Sequence, residues 1–169
     1  MNVIETERLS LREMSEADAG FVLEVLNDPG FMRFVGDRGV RTVEEAARYV
    51  DERFAESYRQ HGFGLWLVEA KEGGVPVGMC GLLKRRELNV VEVGYAFLPA
   101  FRGRGYAYEA AAAAMAYARE TLGLPRLYAI VNPDNAVSIR VLEKLGMKFE
   151  RPVRLTGEEA DVDLYAAGL

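Results

Sequence analysis

Alternating and helical patterns of apolar residues divide this chain into a readable series of elements. Residues 3–14 alternate around Leu9 and Leu11, which predicts a strand. Ser15 then offers an N-cap with Asp18 three residues on, and Phe21, Val22, Val25 and Leu26 form a helical stripe that stops at Asn27-Asp28-Pro29. Residues 29–39 read as a loop with an apolar cluster of Phe31, Met32, Phe34 and Val35. Thr42-x-x-Glu45 has the spacing of a capping box and opens a second helix. In it Val43, Ala47, Val50, Phe54 and Tyr58 recur every three or four residues until Gly62. Three strands follow over 63–70, 75–83 and 90–98, the first two joined by Lys71-Glu72-Gly73-Gly74, a hairpin signal. Together they predict an antiparallel meander.

The period then becomes helical. Residues 106–122 contain eight alanines, with Ala107, Ala110, Ala111, Ala114 and Ala118 on one side, and a helix so faced can approach a sheet closely. A short apolar strand covers 127–131. Asn135 begins another helix, whose Ser138, Val141, Leu142 and Leu145 face one way until Gly146 ends it. Residues 149–155 and 161–165 read as a closing hairpin around Thr156-Gly157. The order is strand, two helices, three strands, helix, strand, helix, two strands, a mixed α/β pattern. No linker or repeat interrupts it, so a single domain over 1–169 is expected.

Composition narrows the function. The chain has 169 residues, half of them hydrophobic, and a domain near this size buries roughly 70% of its unfolded surface without disulfides or structural metal. One cysteine, Cys80, allows no internal disulfide, and with a single histidine, His61, it makes no zinc site of the usual spacing, so no metal is expected. Apolar stretches fall short of the roughly 18 to 20 residues that span a bilayer, and the N-terminus has no apolar core behind a basic start. A cytoplasmic protein with no membrane partner is expected. With 21 basic against 26 acidic residues the net charge is −5, which argues against a nucleic-acid partner.

The chemistry concentrates in Phe97-Leu-Pro-Ala-Phe-Arg-Gly-Arg-Gly-Tyr-Ala107. A strand runs into Arg102, Gly103, Arg104 and Gly105, and this loop opens directly into the alanine-rich helix. Free N–H groups at a helix N-terminus form an anion site, and glycines let a phosphate reach the backbone. Taken alone, the same loop serves equally as a tight turn with solvated arginines. Position 108 is Tyr, so the dinucleotide fingerprint fails, and no Gly-Lys-Ser/Thr exists for a nucleotide P-loop. A hydrolase triad has no support either, since there is no Gly-x-Ser-x-Gly and the lone histidine sits at a helix end. The pyrophosphate of some other cofactor remains.

Arg102-x-x-Gly105-x-Ala107, after a strand ending Gly94-Tyr95-Ala96-Phe97-Leu98-Pro99, resembles the acetyl-CoA signature of the GNAT acyltransferase superfamily. The stretch from Asn132 through Asn135 and Ser138 to Gly146 and Phe149 resembles that superfamily's second cofactor motif. Glu5-Thr-Glu-Arg-Leu-Ser-Leu-Arg12 and the helix start Gly105-Tyr-Ala-Tyr-Glu-Ala110 are similar to the branch of the RimJ and RimL ribosomal-protein N-terminal acetyltransferases. The resemblance implies an α/β (α+β) fold with a mostly antiparallel central sheet, splayed between its middle strands and flanked by four helices. It further implies acetyl-CoA as donor and an amine as acceptor, and leaves a homodimer open. In this reading the backbone of Phe97 and Leu98 pairs with the pantetheine arm. Backbone N–H groups of Gly103, Arg104, Gly105, Tyr106 and Ala107 hold the pyrophosphate, Arg102 fills the first loop position, and Asn135, with Asn132 in the same motif, serves the pantetheine.

An amine attacks only when neutral. At pH 7 the neutral fraction is roughly 0.0004 for a lysine-type amine and roughly 0.1 to 0.2 for an α-amine. The departing thiolate gains from a proton donor. Glu92, six residues before Leu98 where the superfamily often has a base, is the base candidate; its other reading is a strand carboxylate paired with an arginine. Ser138 is the donor candidate by resemblance to the RimL-like branch, its other reading a helix hydroxyl bonded back to a carbonyl. Glu150, Glu158 and Glu159, in or near the last hairpin, are alternative bases. Trp66, Tyr165 and the 29–39 cluster read first as core, and Cys80 as a buried small hydrophobe. The preferred acceptor is a protein or peptide N-terminus, ahead of a small amine such as a polyamine, amino acid or aminoglycoside. A CoA-binding sensor without turnover is the alternative if Glu92 and Ser138 lack their roles.

Overall fold

The alternation predicted as one strand folds back on itself. In the computed structural model, which describes residues 2–169, it forms two antiparallel strands, β1 (Asn2–Glu5) and β2 (Leu9–Arg12), with Ile4 opposite Leu11 and Glu5 opposite Ser10. Thr6 closes the turn: its N–H donates to the Leu9 carbonyl at 2.9 Å and its hydroxyl oxygen accepts the Leu9 N–H at 3.0 Å. Both halves keep the alternating period, so alternation alone cannot locate such a turn.

The meander follows as β3 (Leu65–Ala70), β4 (Val75–Arg85) and β5 (Val90–Phe97), antiparallel throughout. After it come β6 (Arg126–Val131), β7 (Lys148–Val153) and β8 (Val162–Gly168). All eight join one sheet in the order β1-β2-β3-β4-β5-β6-β8-β7, so the last hairpin inserts its second strand against β6 and leaves β7 at the edge. Every pairing is antiparallel except β5 with β6, which run parallel and meet in register only at Glu92 opposite Tyr128. A parallel neighbour needs a crossover, here supplied by the alanine-rich helix. The sheet is thus mostly antiparallel and splayed in its middle, as the sequence resemblance implies.

Helices cover both faces. On one, α5 (Tyr106–Glu120) lays fully buried Ala110, Ala111, Ala114 and Ala118 against the sheet, and α6 (Ala136–Lys144) adds Leu142. The opposite face packs α1 (Ala19–Leu26), α2 (Pro29–Phe34), and a continuous helical stretch of α3 (Val43–Tyr49), a π-helical segment (Val50–Ala55) and α4 (Glu56–His61). Gly62, in the left-handed region at φ 76°, ends that stretch. A 3₁₀ turn at Glu16–Asp18 precedes α1 and carries a full capping box from Ser15 and Asp18.

Short helix α2 lies where a loop is expected from sequence. Asn27-Asp28-Pro29 is both a stop and a start: Asp28 accepts the Phe31 N–H at 3.0 Å as N-cap, and Pro29 occupies the first helical position. Among the described residues no helix is long and apolar enough to cross a membrane.

Candidate active site

Alternation along β5 sorts its side chains between the two faces. Val91, Val93, Tyr95 and Phe97 join the core beneath α5 and α6, whereas Ala96 joins the core beneath α1 and α2, on the side shared with Glu92. Glu92 is only 4% exposed. Arg85 grips its carboxylate with two bonds, Nη2 to Oε1 at 2.8 Å and Nε to Oε2 at 3.2 Å. Burial pushes the Glu92 carboxyl above its ordinary range, and Arg85 pulls against that shift. Glu92 is therefore an arginine-paired strand carboxylate in geometry, yet one whose affinity for a proton is raised.

Past Glu92 the backbone turns toward the predicted phosphate loop. The Leu98 N–H donates to the Val77 carbonyl of β4 at 3.0 Å. A trans peptide sends the Phe97 carbonyl the opposite way, toward the splayed side, where it accepts Arg102 Nε at 3.0 Å. Arg102 also bonds Asp28 at the N-cap of α2, Nη2 to Oδ2 at 2.5 Å. Its guanidinium thus joins α2 to the end of β5. The Arg104 guanidinium carbon lies 5.5 Å from the Phe101 ring centroid.

Gly103 and Gly105 both take left-handed backbone, at φ 77° and 80°. A side chain at Gly103 would meet nothing within 4 Å, and one at Gly105 only Arg8 Nη2 at 3.3 Å. Gly105 is the N-cap of α5 and brings no capping side chain. The first N–H groups of a long helix therefore face an open approach, and this cradle fits a pyrophosphate.

Entry to α6 is built from asparagines. The Asn132 side-chain oxygen accepts the Asp134 N–H at 2.8 Å, and its main-chain carbonyl accepts the Asn135 N–H at 2.9 Å. Asn135 then caps the helix by accepting the Ser138 N–H at 3.2 Å. The Ser138 hydroxyl lies 2.7 Å from the Tyr95 hydroxyl, which also donates to the Ser138 carbonyl at 3.3 Å. This contact joins β5 to α6 across the splay. Tyr95 is the residue that sequence reasoning missed. Its phenol, pushed up to about 12 by burial, stays protonated at neutral pH. The available signal was its position two residues before Phe97, on the same strand face.

The other candidate glutamates lie on the last hairpin. Glu150, on edge strand β7, pairs with Arg126 at 3.3 Å. Glu158 and Glu159 are exposed in the loop between β7 and β8. That loop is tied to the β4–β5 turn, because Glu87 accepts both the Thr156 N–H at 2.9 Å and its hydroxyl at 2.6 Å. Phe31 is buried and Val35 exposed, so the 29–39 cluster is only partly core. Trp66 packs edge-on against Tyr117 at 5.2 Å, and Tyr165 is buried. Cys80 is fully buried and burial pushes its thiol up, which unfits it as a nucleophile at neutral pH. Among the described residues no three His, Cys, Asp or Glu side chains group as metal ligands.

Compared with known proteins, residues 8–148 match the family model described as acetyltransferase (GNAT) domain. YkkB of Bacillus subtilis (strain 168) is 32% identical over 152 residues, covering 88% of this chain and 87% of that protein. The crystal structure of a GNAT-family acetyltransferase from Bacillus anthracis superposes with a TM-score of 0.80 at 28% identity, covering 98% of this chain and 97% of the other. RimL, a ribosomal L7/L12 α-N-protein acetyltransferase solved with coenzyme A, shares the fold at a TM-score of 0.84 and 17% identity, over 100% of this chain and 98% of its own.

Proposed function

Because the chain belongs to the GNAT acetyltransferase family, we propose that it moves acetyl from acetyl-CoA directly to the α-amine of a protein or peptide N-terminus. Acetyl-CoA supplies the acyl group as an activated thioester. The N–H groups of residues 103–107 bind its pyrophosphate, and the splayed edge of Phe97 pairs with the pantetheine arm. Leu98 contributes through the turn it holds against Val77. Asn135 offers the arm the amide NH₂ that its capping bond leaves over, with Asn132 setting the turn that aims it. Arg102 serves by holding the Phe97 carbonyl and the loop in place. Glu92 accepts the amine proton, directly or through a water, and Ser138 donates to the departing sulfur.

The observation that favours an α-amine is the two-pronged grip of Arg85 on Glu92. Both carboxylate oxygens are already engaged by Arg85, so a proton taken up by Glu92 has to compete with one of those bonds, and an acceptor that needs little deprotonation is served best. An α-amine is already roughly 10 to 20% neutral at pH 7, whereas a lysine-type amine needs several hundred times more deprotonation. The test is a screen of amines for release of free CoA thiol. Peptides with free N-termini should turn over, and the same peptides with blocked N-termini and internal lysines should not. Faster acetylation of a polyamine, amino acid or aminoglycoside would overturn the acceptor assignment. Thiol release with none of them would leave a CoA-binding protein without amine turnover.

A further inference from the structure

The N-terminal Thr6-Glu7-Arg8 turn lies far from α5 in sequence, yet it grips the first turn of that helix. The Thr6 hydroxyl donates to Glu109 Oε2 at 2.6 Å, and the Arg8 main-chain N–H donates to the same oxygen at 3.0 Å. Arg8 Nε donates to Glu109 Oε1 at 2.7 Å. Both carboxylate oxygens are thereby taken, and burial of Glu109 is outweighed by these bonds, which hold its carboxyl below the ordinary range. The remaining end of the guanidinium reaches the phosphate loop. Nη1 donates to the Arg104 carbonyl at 2.8 Å, and the guanidinium carbon sits 4.7 Å from the Tyr106 ring centroid.

Peptide planarity turns this contact into an orientation. In a trans peptide the carbonyl and the following N–H point in opposite directions. Holding the Arg104 carbonyl toward Arg8 therefore aims the Gly105 N–H away from Arg8. A glycine at φ 80° has little intrinsic preference for that orientation over others, so an external tether matters. We infer that Arg8, braced by Glu109 and Thr6, is a positioning residue that fixes the Gly105 N–H for the cofactor's pyrophosphate. This inference rests on the proposed pyrophosphate site. It also gives Glu109 a function: placed alone near that site its charge would repel phosphate, and Arg8 neutralises it.

The test compares three ligands by calorimetric binding: CoA, dephospho-CoA and pantetheine, which lacks the pyrophosphate. Arg8→Met keeps the stem against Tyr106 and removes every donor. It should weaken CoA and dephospho-CoA about tenfold each, the scale of one charge-assisted hydrogen bond, and leave pantetheine unchanged. Arg8→Lys, which keeps the charge without the fork, should not restore binding. Equal weakening of all three ligands, or of none, would overturn the inference, as would full rescue by lysine, which would mean simple charge attraction. Weakening of CoA alone would overturn it in favour of direct contact with the 3′-phosphate. If the unmodified protein binds pantetheine as tightly as CoA, the pyrophosphate site itself fails, and that result is read before any variant. Should Arg8→Met not fold, Thr6→Val tests the same brace and should show the same ligand pattern, more weakly.

Discussion

Tyr95 and Ser138, both half-buried, bring two hydroxyls within 2.7 Å, the phenol from β5 and the serine from α6. The phenol stays protonated well above neutral pH, so it can hold the serine oxygen without exchanging roles as pH changes. Glu92 behaves differently, because burial raises its pKa. If it is the base, turnover falls as pH drops through that raised value, where the carboxylate takes up its proton. Glu92→Gln should lower turnover by roughly 10²- to 10⁴-fold while CoA binding persists, and alkaline buffer should restore part of the rate by deprotonating the amine. Ser138→Ala should lower turnover with no alkaline rescue, and a donor with a better leaving thiol should restore it. Tyr95→Phe should follow the serine pattern more weakly. Full turnover by Glu92→Gln at pH 7 would remove it as the base. Identical pH profiles for all three variants would remove the division of roles.

Among the elements, α2 is the one whose importance is out of proportion to its six residues. Asp28 caps it and, through Arg102, ties it to the end of β5 and the phosphate loop. Helix α2 and the loop that begins at Arg102 thus share one buried carboxylate. Asp28→Ala should cost about 1 to 2 kcal/mol for the lost cap, a fall in melting temperature of roughly 2 to 8 °C. Asp28→Asn retains a capping oxygen but weakens the hold on Arg102. Its expected signature is a smaller thermal loss accompanied by weaker CoA binding, measured by thermal scans and calorimetry on the same samples. CoA affinity unchanged in both variants would show that the link between α2 and the loop has no bearing on the cofactor. Elements of this kind explain why capping chemistry and site chemistry are hard to separate here: Asn135 and Gly105 are also helix N-caps.

For the molecule as a whole, the strongest expectation is stabilisation by the cofactor. A ligand that binds only the folded state adds roughly 2.7 kcal/mol at about 100 times its dissociation constant. In a domain of this size that raises the melting temperature by roughly 5 to 11 °C. CoA and acetyl-CoA should both produce the shift, with NADH and ATP as controls. Absence of a shift at millimolar CoA would argue against the cofactor site in this chain.

Legible in the sequence were the order of elements from β3 onward, the alanine face of α5, and the loop of Arg102, Gly103, Arg104 and Gly105 opening a helix. The split of the first strand and the short helix α2 were not. The legible features are local: periodicity, capping spacing and glycine placement act over a few residues, so they are visible without the fold. The sequence also supplied the family, because two separated motifs stood in the right order. What it could not supply were contacts between segments distant along the chain. The turn inside residues 3–14, the pairing of Arg85 with Glu92 across the β4–β5 turn, and the Tyr95–Ser138 contact all depend on strand register and helix placement. The reach of Arg8 to Arg104, 96 residues away, depends on them too. A side chain's partner is chosen by the packed sheet and its flanking helices, since burial forces polar groups to find whichever donor or acceptor the fold brings near. That is why the sequence shows which residues can carry the chemistry, and only the tertiary structure decides which of them are held, paired or free to act.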